Sequence, residues 1–117
     1  MIKFKRVYEK PSPTDGRRIL VDRLWPRGLR KEDAHIDEWL KDIAPSDSLR
    51  KWYGHKEERW DEFRKRYREE LNEEQKVKAL QKLRREGQHR TLTLLFGAKD
   101  TKHNNAAVLS ELFKKAK

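Results

Sequence analysis

The chain contains no cysteine, which excludes disulfide bonds, thiolate nucleophiles and cysteine-ligated zinc from its chemistry. That absence is compatible with a reducing cytosol, so the cytoplasm is the default expectation. No apolar run approaches the roughly 18 residues that a membrane span requires. The opening "MIKFKRVYEK" has no apolar signal-peptide core, so neither a membrane span nor a secretory signal is expected. Short chemical motifs are missing as well. There is no HxxxH, HExxH or His-Cys spacing, so no metal is expected, and no GxxxxGK[ST] or GxGxxG, which argues against a phosphate-cradling loop or a dinucleotide cofactor. There is no GxSxG elbow, internal repeat or low-complexity tract either.

What is present is charge. Charged residues make up 43% of the 117 and hydrophobic residues 34%, a lean core stock in which 4 Trp, 4 Phe and 3 Tyr supply the large pieces. That length fits one domain over residues 1–117 and leaves no room for a second. Thirty Lys and Arg against 20 Asp and Glu give a net charge of +10 and a pI near 9.9, a bias toward polyanions or small anions as partners.

Residues 2–8, "IKFKRVY", alternate apolar and basic positions as a half-exposed or edge strand does. "EKPSPTDGRR" is a loop broken by two prolines and an Asp-Gly turn. "ILVD" (19–22) and "TLTLLF" (91–96) are short, branched and without alternation, the pattern of strands covered on both faces. Between them the chain reads mostly as helix. Ser46 after Pro45 is positioned to cap a short helix carrying Leu49, Trp52 and Tyr53 and ending near Gly54. Trp60, Phe63, Tyr67 and Leu71 recur at helical spacing. Asn72 with Gln75 resembles a capping box for the next helix, whose Val77, Leu80 and Leu83 share a face before Gly87 stops it. A last helix is predicted over about 101–117, capped by Asp100 or Thr101, with His103 and Asn104 in its first turn. "HIDEWLKDIAP" (35–45) fits helix and strand equally.

Strand, helices, strand and helix in that order predict an α/β fold: a small central, mostly parallel sheet packed with helices in a Rossmann-like, three-layer arrangement. In such sheets ligands gather beyond the carboxyl ends of the strands. Those ends are "DRLWPRG" and "GAKD". At the first, Arg23 and Arg27 emerge as cations, with Trp25 and Pro26 as a stiff apolar wall. The bland alternative packs Trp25 under the loop and pairs the arginines with Asp22, Glu32 or Asp33. At the second, Lys99 stands beside a helix N-terminus whose free N–H groups suit an anion. Asp100 and His103 are the candidate proton-transfer groups, and Asn104 a candidate ligand contact. The alternative is a capped helix with surface polar residues. Lys41, Ser46 and Arg50 are weaker members of the binding set. Ser46, His103 and Asp100 have the residue types of a nucleophile triad, without spacing that supports one.

The segments "DGRRILVDRLWPRGLRKED", "WLKDIAPSDSLRKWYGH", "RWDEFRKRYREEL" and "TLLFGAKDTKHNNAAVL" together resemble the domain-of-unknown-function 488 family, in its YeaO-like branch of small bacterial and archaeal proteins, along nearly the whole chain. The resemblance implies a compact α/β fold and a bacterial or archaeal cytosolic setting. It implies no reaction and supplies no catalytic roles, although every candidate above falls on the matching segments. Tyr53 stands where Phe is frequent in the family, so an aromatic is kept.

The leading expectation is a protein, enzyme or not, that binds a small phosphate- or carboxylate-bearing ligand between the two strand exits. The alternatives are a nucleic-acid-binding accessory protein that uses basic residues of the helices between 56 and 86, mixed there with nine acids, and an interaction module with no small ligand. Nothing in the sequence gives the oligomeric state.

Overall fold

The computed structural model describes residues 1–115. Its centre is a four-stranded, wholly parallel sheet built from β1 (Ile2–Arg6), β2 (Arg17–Leu20), β3 (Glu38–Trp39) and β4 (Leu92–Phe96), in the spatial order β1-β4-β2-β3. The two unalternating apolar runs are therefore its central neighbours. Leu94 of β4 pairs with Phe4 on one side and Ile19 on the other, and all five residues of β4 are buried. The ambiguous 35–45 segment resolves into neither of its long alternatives. It gives the two-residue β3, then a 3-10 turn over Lys41–Ile43.

One face of the sheet carries Ile19, Val21, Leu92, Leu94 and Phe96 against α2 (Asp47–Tyr53), α3 (Trp60–Glu70), α4 (Glu74–His89) and α5 (Asn105–Lys115). The helical spacing of α3 does what it predicts: Phe63 and Tyr67 are buried, Phe63 stacks on Tyr53 with 4.3 Å between ring centres, and the Tyr67 hydroxyl donates to the Ile43 carbonyl. Ser46 caps α2, its hydroxyl accepting the Leu49 N–H, and Gly54 ends it in the left-handed region at φ 51°.

Three expected helix ends move. The N-cap of α4 is Glu73 rather than Asn72, with no side-chain cap bond. Gly87 does not stop this helix but lies inside it, where an added Cβ would sit 2.6 Å from Ile2 Cγ1; a packing constraint keeps it small. The last helix starts at Asn105, with Asn104 Oδ1 accepting the Ala107 N–H at 2.9 Å, so Asn104 takes the capping role expected of Asp100 or Thr101. His103 and Asn104 thus precede the helix instead of forming its first turn, and the last two residues of the expected span lie outside the described residues.

The other face is covered by loops and a single-turn helix, α1 (Lys31–Ala34), and its apolar part is Val7, Leu20 and Leu95 beneath Trp25, Leu29, Ile36 and Trp39. Beside it lies a closed network of charge. Asp15, 3% exposed, ends a 3-10 turn in the proline-rich loop and accepts from the Ser12 N–H, from Lys5 and from Arg18. Arg18, 4% exposed, also donates to the Ala34 and His35 carbonyls at 3.0 and 2.9 Å, tying α1 to the sheet. Burial pushes the Asp15 carboxyl up, but these hydrogen bonds and the Lys5 charge outweigh it and hold it below the usual carboxylate range. Gly16, next along, has φ +65° and lies so close to Thr91 that a Cβ would come within 2.2 Å of its carbonyl oxygen. No helix among the described residues is long and apolar enough to cross a membrane.

Candidate functional site

Because β2 and β4 are adjacent and parallel, their carboxyl ends leave the sheet side by side. Beyond Leu20 the Val21 N–H still donates to the Leu95 carbonyl at 3.0 Å, and Gly97 N–H then donates to Asp22 Oδ2 at 2.8 Å. Asp22 thus straps one strand exit to the other. Asn105, the first residue of α5, completes the strap by donating from Nδ2 to Asp22 Oδ1 at 3.1 Å and to the Val21 carbonyl at 2.9 Å. Gly97 is tightly fitted there, an added Cβ lying 3.2 Å from Asp22 Oδ2. Burial raises the Asp22 carboxyl above its ordinary value, partly offset by the Gly97 N–H, the Asn105 amide and the His55 ring.

Above this strap opens a cleft of about 680 Å³, a volume ordinary for small-ligand sites. Its apolar walls include Trp25, Pro26 and Pro45, with Tyr53 and Phe63 from the helical layer, and Tyr8 and Leu24 stand at its exposed edge. Trp25 is fixed by an indole N–H donated to the Leu29 carbonyl and by an edge-on contact with Trp39, 5.5 Å between ring centres. It packs under its loop and walls the cleft at once, so the two sequence alternatives for it do not exclude each other.

The cleft gathers Arg23, Arg27, Arg50, Lys51 and Lys99 against two acids, Asp22 and Asp100. Three of these cations are already engaged. Arg23 donates from Nε to the Pro45 carbonyl at 2.7 Å, and Arg50 and Lys51 both reach Asp47, at 2.7 and 3.0 Å. The side chains of Arg27 and Lys99 have no hydrogen-bond or ion-pair partner among the described residues. The backbone carbonyl of Arg27 is held by the Tyr8 hydroxyl at 2.8 Å, which fixes the loop while leaving the guanidinium free. Asn104 lines the cleft, but its amide is spent on the Asp100 carbonyl and on capping α5.

Three of the sequence candidates lie elsewhere. Lys41 stacks over the Trp39 ring, 3.9 Å from its centre, on an exposed stretch away from the cleft. Ser46 is taken up by capping and by Glu70, which accepts both its N–H and its hydroxyl. His103 sits behind the rim. Its Nδ1 is 2.9 Å from Asp100 Oδ2, its Nε2 3.7 Å from Glu57, and its ring packs edge-on against Trp60. Asp100 lines the cleft but is turned onto its own loop, accepting the Lys102 and His103 N–H groups; with the His103 ring, these hold its carboxyl below the usual value. Tyr53, the departure from the family's frequent Phe, donates its hydroxyl to the His103 carbonyl at 2.9 Å, and burial with the Asp100 and Glu57 charges pushes its pKa up to about 12. Among the described residues no three His, Asp or Glu side chains are grouped to hold a metal ion.

Sequence reasoning gave no role in the site to Asp22, Asn105, His55 or Tyr8. Asp22 was read as a strand end and a salt-bridge partner for arginine; its signal was a single acid following three buried apolar residues, which only the partner strand could distinguish from a surface acid. His55 carries a left-handed backbone, φ 58°, directly after the Gly54 helix stop.

The whole chain, residues 1–117, matches the family model described as the inactive DUF488-N3 subclade. An uncharacterized protein of Mycobacterium tuberculosis (strain ATCC 25618 / H37Rv) is 44% identical to it over 111 residues, covering 95% of this chain and 92% of that one. The uncharacterized protein YeaO of Escherichia coli (strain K12) is 45% identical over 111 residues, covering 94% of each. No solved structure matches.

Proposed function

Given that the chain belongs to the DUF488 family, in the subclade described as inactive, we propose that its cleft at the β2 and β4 exits binds a small phosphate- or carboxylate-bearing ligand without breaking a bond in it. The observation that carries this reading is the pair of unpartnered cations, Arg27 and Lys99, one from each strand exit, on the same apolar-walled cleft. An exposed arginine and an exposed lysine on one rim offer an anion both a planar fork and a point charge. The N-terminus of α5, reached through Asn104 and Asn105, adds positive potential on the same side.

The state of the two candidate proton-transfer groups supports binding without catalysis. Asp100 is held in its ionised form by its own loop, and the His103 ring lies outside the cleft between Asp100, Glu57 and Trp60. A cytoplasmic setting accords with the family and with the lack of cysteine.

Nucleic-acid binding draws less support. On the helical surface Arg64 and Arg68 converge on Glu111, Arg66 pairs with Glu62 at 2.8 Å, and Arg59 and Arg66 flank the Trp52 ring. Arg64, Arg66 and Arg68, already paired with acids, are poorly placed to exchange counterions with a phosphate backbone. Two titrations separate the readings. Calorimetry with phenyl phosphate and with benzoate is expected to show saturable binding of at least one, weakened at least tenfold in an Arg27→Ala, Lys99→Ala double variant. Anisotropy of labelled mixed-sequence DNA and RNA at about 50 and 200 mM salt is expected to show no tight complex at the higher salt. Tight, salt-steep nucleic-acid binding that survives the double change would replace the cleft with the helical surface.

A further inference from the structure

The cleft holds more than an anion needs. Of the large hydrophobic residues that are exposed among the described residues, Tyr8 at 42% and Leu24 at 53% both lie on its edge. A site for a bare ion has no use for them, nor for the flat surfaces of Trp25 and Pro26 beside them. Planar walls of this kind cover a planar apolar body.

The floor carries the second feature. Asp22 is a carboxyl group in a cation-rich cleft, yet among the described residues no cation bonds to it: Arg23 is turned to the Pro45 carbonyl, and Arg50 and Lys51 to Asp47. Each of its oxygens is instead fixed by one uncharged donor, Gly97 N–H on Oδ2 and Asn105 Nδ2 on Oδ1. An ionised carboxylate has about four acceptor positions, so two such bonds set its orientation and leave acceptor capacity over. Asp22 lines the cleft.

From these two features we infer that the ligand is not a simple anion but an aromatic phosphate or carboxylate whose ring bears an N–H or O–H donor, received by Asp22. The inference rests on the anion reading above and deepens it. Arg27 and Lys99 hold the charged end, Trp25 and Tyr8 cover the ring, and Asp22 accepts from its far substituent. A donor on the ligand adds a hydrogen bond to a charged or strongly polarised acceptor in a sheltered site, enough to change affinity by about tenfold. In Asp22→Asn the Gly97 N–H demands the one remaining oxygen, so an NH2 group replaces the acceptor on the other side and the preference for a donor goes.

Two matched ligand series on the wild-type protein test this: inorganic phosphate, phenyl phosphate and 4-aminophenyl phosphate, with acetate, benzoate and 4-aminobenzoate in parallel. Dissociation constants from calorimetry are expected to fall along at least one series, with the amino compound about tenfold tighter than its unsubstituted ring. The same pair is then measured on Asp22→Asn, its folding checked by thermal melting, where the advantage is expected to drop below about twofold. Equal affinity of the amino and unsubstituted rings, an advantage kept by Asp22→Asn, or simple ions binding as well as the rings would overturn the inference while leaving the anion site standing. Failure of every ligand in both series would remove the anion site itself, and this inference with it.

Discussion

A sheltered aspartate stands beyond each end of β2, Asp15 before it and Asp22 after it, and the two are built for opposite purposes. On the loop face Asp15 is enclosed by Ser12, Lys5 and Arg18, and Arg18 in turn spends its other donors on the carbonyls at the end of α1. Every strong group there answers another, and the result is a clasp. At the strand exit Asp22 is oriented by two neutral donors, while Arg27 and Lys99, whose side chains have no partner among the described residues, line the same cavity. On our proposal the contrast separates structural from functional charge: the closed network holds the fold, and the open one, with a shaped void above it, is where the ligand is proposed to bind.

The comparison breaks most visibly in the clasp. Arg18→Ala would leave the Asp15 carboxylate buried beside Lys5 alone and release the Ala34 and His35 carbonyls, a loss of about 3–5 kcal/mol by the measure of buried ion pairs. Denaturant unfolding of the variant is expected to reach or approach the limit of stability for a domain of this size. A loss below about 1 kcal/mol would mean that the clasp is not closed.

A smaller effect comes from the helical face. Gly87→Ala drives a methyl group to within 2.6 Å of Ile2 Cγ1, where a flexible side chain on β1 can yield. Overpacking of this kind costs about 1–3 kcal/mol, reduced here by the higher helix propensity of alanine. The thermal midpoint should therefore fall, with ligand affinity at the distant cleft unchanged.

The double change Arg27→Ala, Lys99→Ala stands at the other end of the stability scale. Both side chains are on exposed residues without partners among the described residues, so folding stability should move by less than about 0.5 kcal/mol while anion affinity falls at least tenfold. Stability and binding thus separate across the two regions.

The smallest effect is the most diagnostic. Asp15 has its folded pKa lowered from 3.8, so its contribution to stability is present above that value and is lost as pH falls through the folded pKa. Asp22 has its folded pKa raised, so the native state keeps its proton longer than the unfolded chain, and stability declines as pH rises from 3.8 through the folded pKa. Carboxyl carbon NMR across this range is expected to place the Asp22 midpoint above 3.8 and the Asp15 midpoint below it. Coincident midpoints would erase the distinction between clasp and open site.

Much of this was written locally. The two unalternating runs fell on the central strands because a strand covered on both faces has no polar side to show. Trp60, Phe63, Tyr67 and Leu71 announced α3, and Ser46 after Pro45 announced the start of α2. The position of the cleft followed from the strand exits, since parallel neighbours must end together. The clasp was invisible because "PSPTDGRR" reads as a solvated loop, and only the packing of that loop over the sheet buries Asp15 and Arg18. Gly87 read as a helix stop because glycine serves both ends and close approaches, and the approaching residue, Ile2, lies far away in sequence. Asp22 and Asn105 were passed over for a related reason: each is an ordinary polar residue until the β2 exit, the β4 exit and the start of α5 come within hydrogen-bonding distance.

The most direct measurement uses the four tryptophans as reporters, since Trp25 lines the cleft while Trp52 and Trp60 sit in the helical layer and Trp39 at the sheet edge. Indole and backbone N–H signals would be followed as phenyl phosphate, and separately benzoate, is added to the wild-type protein and to Arg27→Ala, Lys99→Ala. Saturable shifts of the Trp25 indole and the Gly97 amide in the wild type, with Trp52 unmoved and the response lost in the double variant, are what an anion site at the joined strand exits predicts. Shifts centred on Trp52 and α3, or an undisturbed Trp25 and Gly97 with both ligands, would contradict it.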